Sequence, residues 1–289
     1  LNKFIEQALH VAGDFSTLKQ VKQTFGGSIN ESFFVETNER KYFVKYHTDA
    51  PNRFFELEAK GLRLIRETNS VSVPEVLAYS DEKNNAFLLM DWVEGRKSQD
   101  TEAKLGNRIA KMHQTFNSQH GFPDDTFIGV LPQPNGLFSS WLEYYRDSRL
   151  SAQLTQGIEQ NSITGNRRLR MEKLLMNLEK WIPDDVGPSY LHGDLWGGNW
   201  LVGAGGNPYV IDPSFLYGDR HFELAFTELF GGYSRGFYQA YEERFPLRDD
   251  YEDIKALYQL YYLLVHLNIF GESYGPRVDS ILKRYVGVY

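Results

Sequence analysis

The stretch from Leu191 to Pro213 constrains this chain more than any other. It reads Leu191-His192-Gly193-Asp194-Leu195-Trp196-Gly197-Gly198-Asn199, then Trp200-Leu201-Val202, a Gly-Ala-Gly-Gly-Asn turn, and Tyr209-Val210-Ile211-Asp212-Pro213. The glycines make its first part a loop. The two apolar triplets on either side of the turn read as a short β-hairpin. Such a hairpin returns Asp212 to the side of Asn199, and Asp194 stands five residues before Asn199. Any fold of this chain must therefore gather two carboxylates and one carboxamide where a hairpin begins and ends.

Those residue types suit phosphoryl transfer. One carboxylate accepts the proton of an attacking hydroxyl. An amide oxygen and a second carboxylate, both hard ligands, hold Mg²⁺ on the phosphates. The spacing from Asp194 to Asn199 is that of the kinase catalytic loop H-R-D-x-x-x-x-N. Asp194 thus reads as the base, with Asn199 and Asp212 as metal ligands. His192, which opens the loop, reads as a brace. Glu223, in Phe222-Glu223-Leu224-Ala225, reads as an acceptor for loop N–H groups, and His113 as a hydrogen-bonded core histidine.

Upstream, the pattern is α+β. A short amphipathic helix carries Ile5, Leu9 and Ala12 and ends near Gly13. Strand-like runs follow at Leu18–Phe25, Ser32–Thr37, Lys41–Tyr46, Pro74–Tyr79 and Ala86–Met90, with a helix over Phe54–Arg66 after the third. This predicts a five-stranded sheet with one inserted helix. Lys45 lies on the third strand, where a kinase carries the lysine that binds the α- and β-phosphates. Its helical partner is a glutamate, Glu58 in preference to Glu56. Gly26, Gly27 and Ser28, between the first two strands, occupy the place of a phosphate-covering loop without being a G-x-G-x-x-G. Met90, Asp91 and Val93 follow the fifth strand, where a two-lobed kinase holds adenine through backbone groups. The composition changes near Asp91, so residues 1–91 read as a nucleotide-binding lobe and 92–289 as a mainly helical lobe with the metal and acceptor sites. Within it, helices are expected near Leu105–Phe116, Trp141–Leu154, Arg167–Trp181, Phe222–Phe230, Tyr238–Phe245 and Tyr251–Phe270, with a loop over Gly121–Gly136.

Composition narrows the partners. With 31 Lys and Arg against 38 Asp and Glu, the net charge is −7, which argues against nucleic acid. No apolar run is long enough to span a bilayer, and the first twenty residues lack the apolar core of a signal peptide; a cytosolic location and no membrane partner are expected. The chain has no cysteine, so Cys-ligated metals and disulfides are excluded. The seven histidines show no zinc-ligand spacing.

His192-Gly193-Asp194-Leu195-Trp196-Gly197-Gly198-Asn199 resembles the signature of the fructosamine kinase (ketosamine-3-kinase) family. The likeness runs nearly end to end. It includes Phe43-Val44-Lys45, Phe54-Phe55-Glu56-Leu57-Glu58-Ala59, Asp212-Pro213-Ser214-Phe215-Leu216-Tyr217-Gly218-Asp219 and His266-Leu267-Asn268-Ile269-Phe270-Gly271. The resemblance implies a protein-kinase-like two-lobed fold and ATP- and Mg²⁺-dependent phosphorylation of a sugar hydroxyl on glycated amines, whether small ketosamines or glycated protein. The unstable product then sheds its sugar, a deglycation repair. Trp196 and His266 are its implied sugar-side residues. Two positions depart from the family pattern: Gly197 replaces the usual Ser, and Val265 the frequent Asn before His266. Another amino alcohol, as for aminoglycoside or choline kinases, is the alternative acceptor. A protein kinase proper is not expected, because a helix is expected within ten residues of Asp212-Pro213, leaving no room for an activation segment.

Overall fold

The structure, a computed structural model, describes residues 2–24 and 30–287, with side chains from residue 4 onward. Gly26, Gly27 and Ser28 lie outside the described residues.

Helix α1 (Asn2–Val11) lays Ile5, Ala8 and Leu9 against one face of a five-stranded antiparallel sheet. The strands are β1 (Leu18–Thr24), β2 (Glu31–Thr37), β3 (Lys41–His47), β4 (Val76–Ser80) and β5 (Ala86–Asp91), in the order β1-β2-β3-β5-β4. Helix α2 (Phe54–Glu67) connects β3 to β4 and covers the other face. Alternation along β3 decides where Lys45 goes. Tyr42 and Val44 join the α1 side, while Phe43 belongs with the α2 side. Lys45, two residues after Phe43, therefore projects from the sheet toward α2. That side of the sheet has no core of its own: Phe55, Leu62, Leu88 and Met90 pack in one continuous apolar cluster with the rest of the protein.

The remainder is helical with small sheets set into it. Helix α3 (Thr101–His113) leads to β6 (His120–Phe122), the β7–β8 hairpin (Thr126–Ile128, Leu131–Gln133) and β9 (Gly136–Phe138). The expected loop over Gly121–Gly136 is thus a run of three-residue strands. Helix α4 (Trp141–Tyr144) continues through a wide π-helical stretch, Tyr145–Ser151, into α5 (Ala152–Glu159). Helix α6 (Gly165–Leu175) precedes β10 (Ser189–Leu191), and the β11–β12 hairpin (Trp200–Val202, Pro208–Val210) follows the glycine-rich loop. Strand β13 (Leu216–Gly218) completes a second sheet, ordered β10-β13-β6-β9.

Helices α7 (Arg220–Thr227), α8 (Arg235–Arg244), α9 (Tyr251–Phe270) and α10 (Gly275–Val286) finish the chain. Helix α9 is buried on nearly every side, as a central helix must be when its sequence is apolar around its full circumference. Helix α8 crosses α3 at Gly106, where a β-carbon would stand 2.0 Å from the Phe237 carbonyl oxygen. Among the described residues no helix is long and apolar enough to cross a membrane.

Candidate active site

The β11–β12 pairing sets Trp200 opposite Val210, and Ile211 N–H donates to the Asn199 carbonyl at 3.0 Å. Asn199 and Asp212 are thereby held side by side at the open end of the hairpin. Asn199 Nδ2 donates to the Asp194 carbonyl oxygen at 2.8 Å and to Asp194 Oδ2 at 2.9 Å. With the amide nitrogen committed, Oδ1 is the group Asn199 offers to a ligand.

The loop before it is bonded from several sides. His192 Nδ1 accepts from Asp194 N–H at 3.3 Å, so its Nε2 carries the proton and donates to the Ile211 carbonyl at 2.8 Å. Burial holds the His192 imidazole below its ordinary pKa, consistent with this neutral tautomer. Gly193 N–H donates to Glu223 Oε1 at 2.6 Å, and Tyr262 Oη donates to the Gly193 carbonyl at 3.0 Å. Gly193 has φ +85°, and a β-carbon there would stand 1.9 Å from the Ser214 carbonyl oxygen. Glu223 is itself fully buried, its Oε2 accepting from His113 Nε2 at 2.8 Å, while His113 Nδ1 accepts from Tyr241 Oη at 2.7 Å. Burial is the largest single influence on Glu223 and opposes its charge, but the His113 hydrogen bond, the neighbouring imidazoles and the Gly193 N–H together outweigh it and hold the carboxyl below its ordinary pKa.

Lys45 reaches this cluster from β3. Its Nζ donates to Glu58 Oε1 at 2.7 Å and to Asp212 Oδ1 at 2.5 Å. Glu56 instead turns to Arg53, 2.7 Å away. Burial acts to lower the Lys45 pKa, but the charges of Asp212 and Glu58 prevail and hold the ammonium well above its ordinary value. Burial pushes Glu58 up to about 7 against the opposing pull of Lys45. Asp194 is pushed up to about 8, first by burial and then by the neighbouring Asp212 charge, with the Asn199 hydrogen bond acting the other way. Asp212 has φ +59°, a backbone position that a non-glycine residue holds only where surrounding contacts enforce it.

Lys45, Glu58, Asp194, Trp196, Asn199, Asp212 and His266 all line one cavity of about 820 Å³. Met90, Asp91 and Val93 do not line it. Asp91 N–H donates to the Glu75 carbonyl at 3.0 Å, its carboxylate accepts from Glu75 N–H, and Trp92 N–H donates to the Lys41 carbonyl at 3.2 Å. Trp196 is 43 % exposed and its ring lies across Gly198. His266 donates from Nδ1 to the Tyr262 carbonyl at 2.7 Å, so its Nε2 is left as an acceptor. It sits among Phe230, Phe270 and Tyr274 at the apolar end of the cavity. Sequence reasoning overlooked this aromatic end and the Tyr262 contact. The signal for Tyr262 was available: a phenol in an otherwise apolar helix needs a buried hydrogen-bond partner.

The oxygen donors fit a phosphate-bound magnesium ion. No group of three or more His, Cys, Asp and Glu able to hold a metal occurs among the described residues. Mg²⁺ needs no such cage, since it takes one or two protein oxygens and fills its remaining positions with phosphate and water. Asn199 Oδ1 and the Asp212 carboxylate are oxygens of this kind.

A lysine–glutamate pair between strand and helix, facing a carboxylate–amide–carboxylate set on a loop and hairpin, defines a phosphotransferase of the protein-kinase-like fold. A family model described as fructosamine kinase matches residues 1–287, and the chain belongs to that family. It is accordingly an ATP-dependent phosphotransferase. A protein of Lactiplantibacillus plantarum named a probable ketoamine kinase is 37% identical over 269 residues, 93% of this chain and 95% of that one. A crystal structure assigned as a fructosamine-3-kinase of Thermobifida fusca superposes with a TM-score of 0.88, 29% identity and 98% of each chain covered. The aminoglycoside phosphotransferase APH(4)-Ia, 18% identical, superposes with a TM-score of 0.64 over 99% of this chain and 100% of that one. At that identity it shares the fold alone.

Proposed function

We propose that the enzyme transfers the γ-phosphoryl group of ATP to a sugar hydroxyl of a ketosamine, such as a fructosyl- or ribulosyl-lysine, as a free compound or on glycated protein. The observation that carries this reading is the shared cavity. Its charged end holds Lys45 and Asp212, its apolar end holds His266, and Asp194 and Trp196 line it as well. In the reaction, Asp194 accepts the hydroxyl proton as the oxygen bonds to phosphorus, and ADP leaves with the electrons of the broken P–O bond. Lys45, oriented by Glu58, binds the transferring nucleotide's phosphates. Asn199 and Asp212 hold Mg²⁺, which when bound neutralises charge on the phosphates. The Trp196 ring lies against the sugar face, and His266 Nε2 accepts from a sugar hydroxyl. Residues 1–91 serve as the nucleotide lobe and 92–289 as the lobe for metal and acceptor. The phosphorylated ketosamine then sheds its sugar and frees the amine, a repair step placed in the cytosol.

ATP consumption with fructosyl-lysine, ribulosyl-lysine, an aminoglycoside and choline tests the acceptor class. A ketosamine is expected to have the highest kcat/KM. Preferential turnover of choline or the aminoglycoside overturns it. Trp196→Ala should raise the ketosamine KM or lower kcat with little change in ATP affinity; unchanged kcat/KM removes Trp196 from the sugar site.

A further inference from the structure

A second large recess lies away from the active site, where the α2–β4 connection meets α3, the end of α8 and the turn of the β11–β12 hairpin. It is a groove of about 790 Å³ into which Arg66, Arg108, Lys111 and Arg244 face. No aspartate or glutamate lines it among the described residues. None of the four cations has a carboxylate within ion-pair distance among those residues either, although many other basic side chains do, including Arg53, Arg167, Arg248 and Lys255. In a chain of net charge −7, four cations converging on a groove that no carboxylate lines give it a local charge opposite in sign to the whole.

The groove also has fixed geometry. Arg108 donates to Asn207 Oδ1 and approaches Ser72 Oγ, and Asn207 Nδ2 donates to Ser72 Oγ at 2.9 Å. Lys111 Nζ donates to the Asn69 carbonyl at 2.7 Å. An ammonium has three donors and a guanidinium five, so these bonds orient Arg108 and Lys111 while leaving N–H groups for a ligand. The charged heads of Arg66, Lys111 and Arg244 are on exposed residues, so an anion can approach from solvent. The low, mixed lining of amide and hydroxyl groups adds neutral donors suited to oxyanions.

We propose that this groove is a binding site for a small phosphate-bearing anion carrying two or more charges, separate from the nucleotide site. Its ligand bridges the α2–β4 connection to the β11–β12 hairpin. Ser72 already bonds this hairpin, accepting from Val210 N–H through its carbonyl at 2.9 Å. The ligand therefore ties together the helix that carries Glu58 and the hairpin whose ends carry Asn199 and Asp212.

Isothermal titration with inorganic pyrophosphate, without added metal, tests the site on three proteins: the wild type, Lys111→Gln/Arg244→Gln, and Lys45→Met. Lys111 and Arg244 are exposed, so their neutral replacements are compatible with folding, which circular dichroism checks. The groove site predicts that pyrophosphate binding survives in Lys45→Met, weakens roughly tenfold or more in the double variant through loss of two charge-assisted contacts, and weakens as NaCl rises. Arg244→Glu should weaken it further. Binding that is lost in Lys45→Met and intact in the double variant belongs to the active site and overturns the proposal. Absence of wild-type binding, or equal affinity in the wild type and the double variant, overturns it as well.

Discussion

Lys45 Nζ donates to Asp212 Oδ1 across 2.5 Å, joining two residues 167 positions apart in the chain. The bond ties the third strand of the sheet to the end of the β11–β12 hairpin. Glu58 shares the same ammonium, so one cation organises carboxylates from a helix and a hairpin.

Removing that cation should cost both activity and stability. Lys45→Met leaves Glu58 buried without its partner. Breaking a buried pair typically costs about 3–5 kcal/mol. The loss here should be smaller, because the Glu58 carboxyl, already pushed up to about 7, can take a proton instead. Lys45→Met/Glu58→Gln should recover much of the stability in urea unfolding while turnover stays low. Equal destabilisation in the single and double variants would contradict a shared pair.

Asp194→Asn keeps the size and most hydrogen bonding of the side chain but removes a proton acceptor. If Asp194 is the base, kcat should fall roughly 10²–10⁴-fold, with MgATP affinity nearly unchanged. Normal turnover in this variant would rule the assignment out.

The same residue predicts a pH dependence of stability in the nucleotide-free, metal-free enzyme. The Asp194 pKa is pushed up to about 8 from 3.8, burial being the first cause. The native state therefore retains this proton where the unfolded chain releases it. Its contribution is complete below the unfolded pKa and declines as pH rises toward about 8, where the native carboxyl also ionises. Urea unfolding from pH 5 to 8 should show stability falling with pH, and Asp194→Asn should flatten the slope. An identical slope in the variant would exclude Asp194 as its source.

Gly193→Ala probes the loop's backbone. Alanine at φ +85° carries a backbone cost of about 1–2 kcal/mol, and its β-carbon collides with the Ser214 carbonyl. The melting temperature should drop and turnover should fall together, because Gly193 carries bonds to both Glu223 and Tyr262. Wild-type melting and turnover would mean that the loop relaxes freely.

Much of this arrangement was legible because its signals are local. The triplets flanking the Gly203–Asn207 turn pair as a hairpin, and alternation along β3 assigns Lys45 its side. The choice between Glu56 and Glu58 was less accessible. Residues two apart point to nearly opposite faces of a helix, and both lie between buried apolar neighbours, so only the rotation of α2 against β3 separates them. The second sheet was harder still. Its strands are three residues long, too short for alternation to register, and β13 pairs with strands from distant parts of the chain. The sequence reading placed no helix after Phe270, yet α10 follows with its proline in the first turn, where the missing N–H costs nothing.

The eight residues from Asp212 to Asp219 are occupied end to end. Ser214 is bonded to the Phe127 carbonyl, β13 is paired on both edges, and Asp219 caps α7 while accepting from Tyr258 and His221. Nothing in that stretch is loose enough to be threaded into a modifying enzyme, and its serine hydroxyl is turned inward. An on–off tag of the sort that gates signalling kinases has nowhere to attach here. This stretch is in place as soon as the chain folds, so whatever adjusts the enzyme's throughput acts somewhere other than on these eight residues.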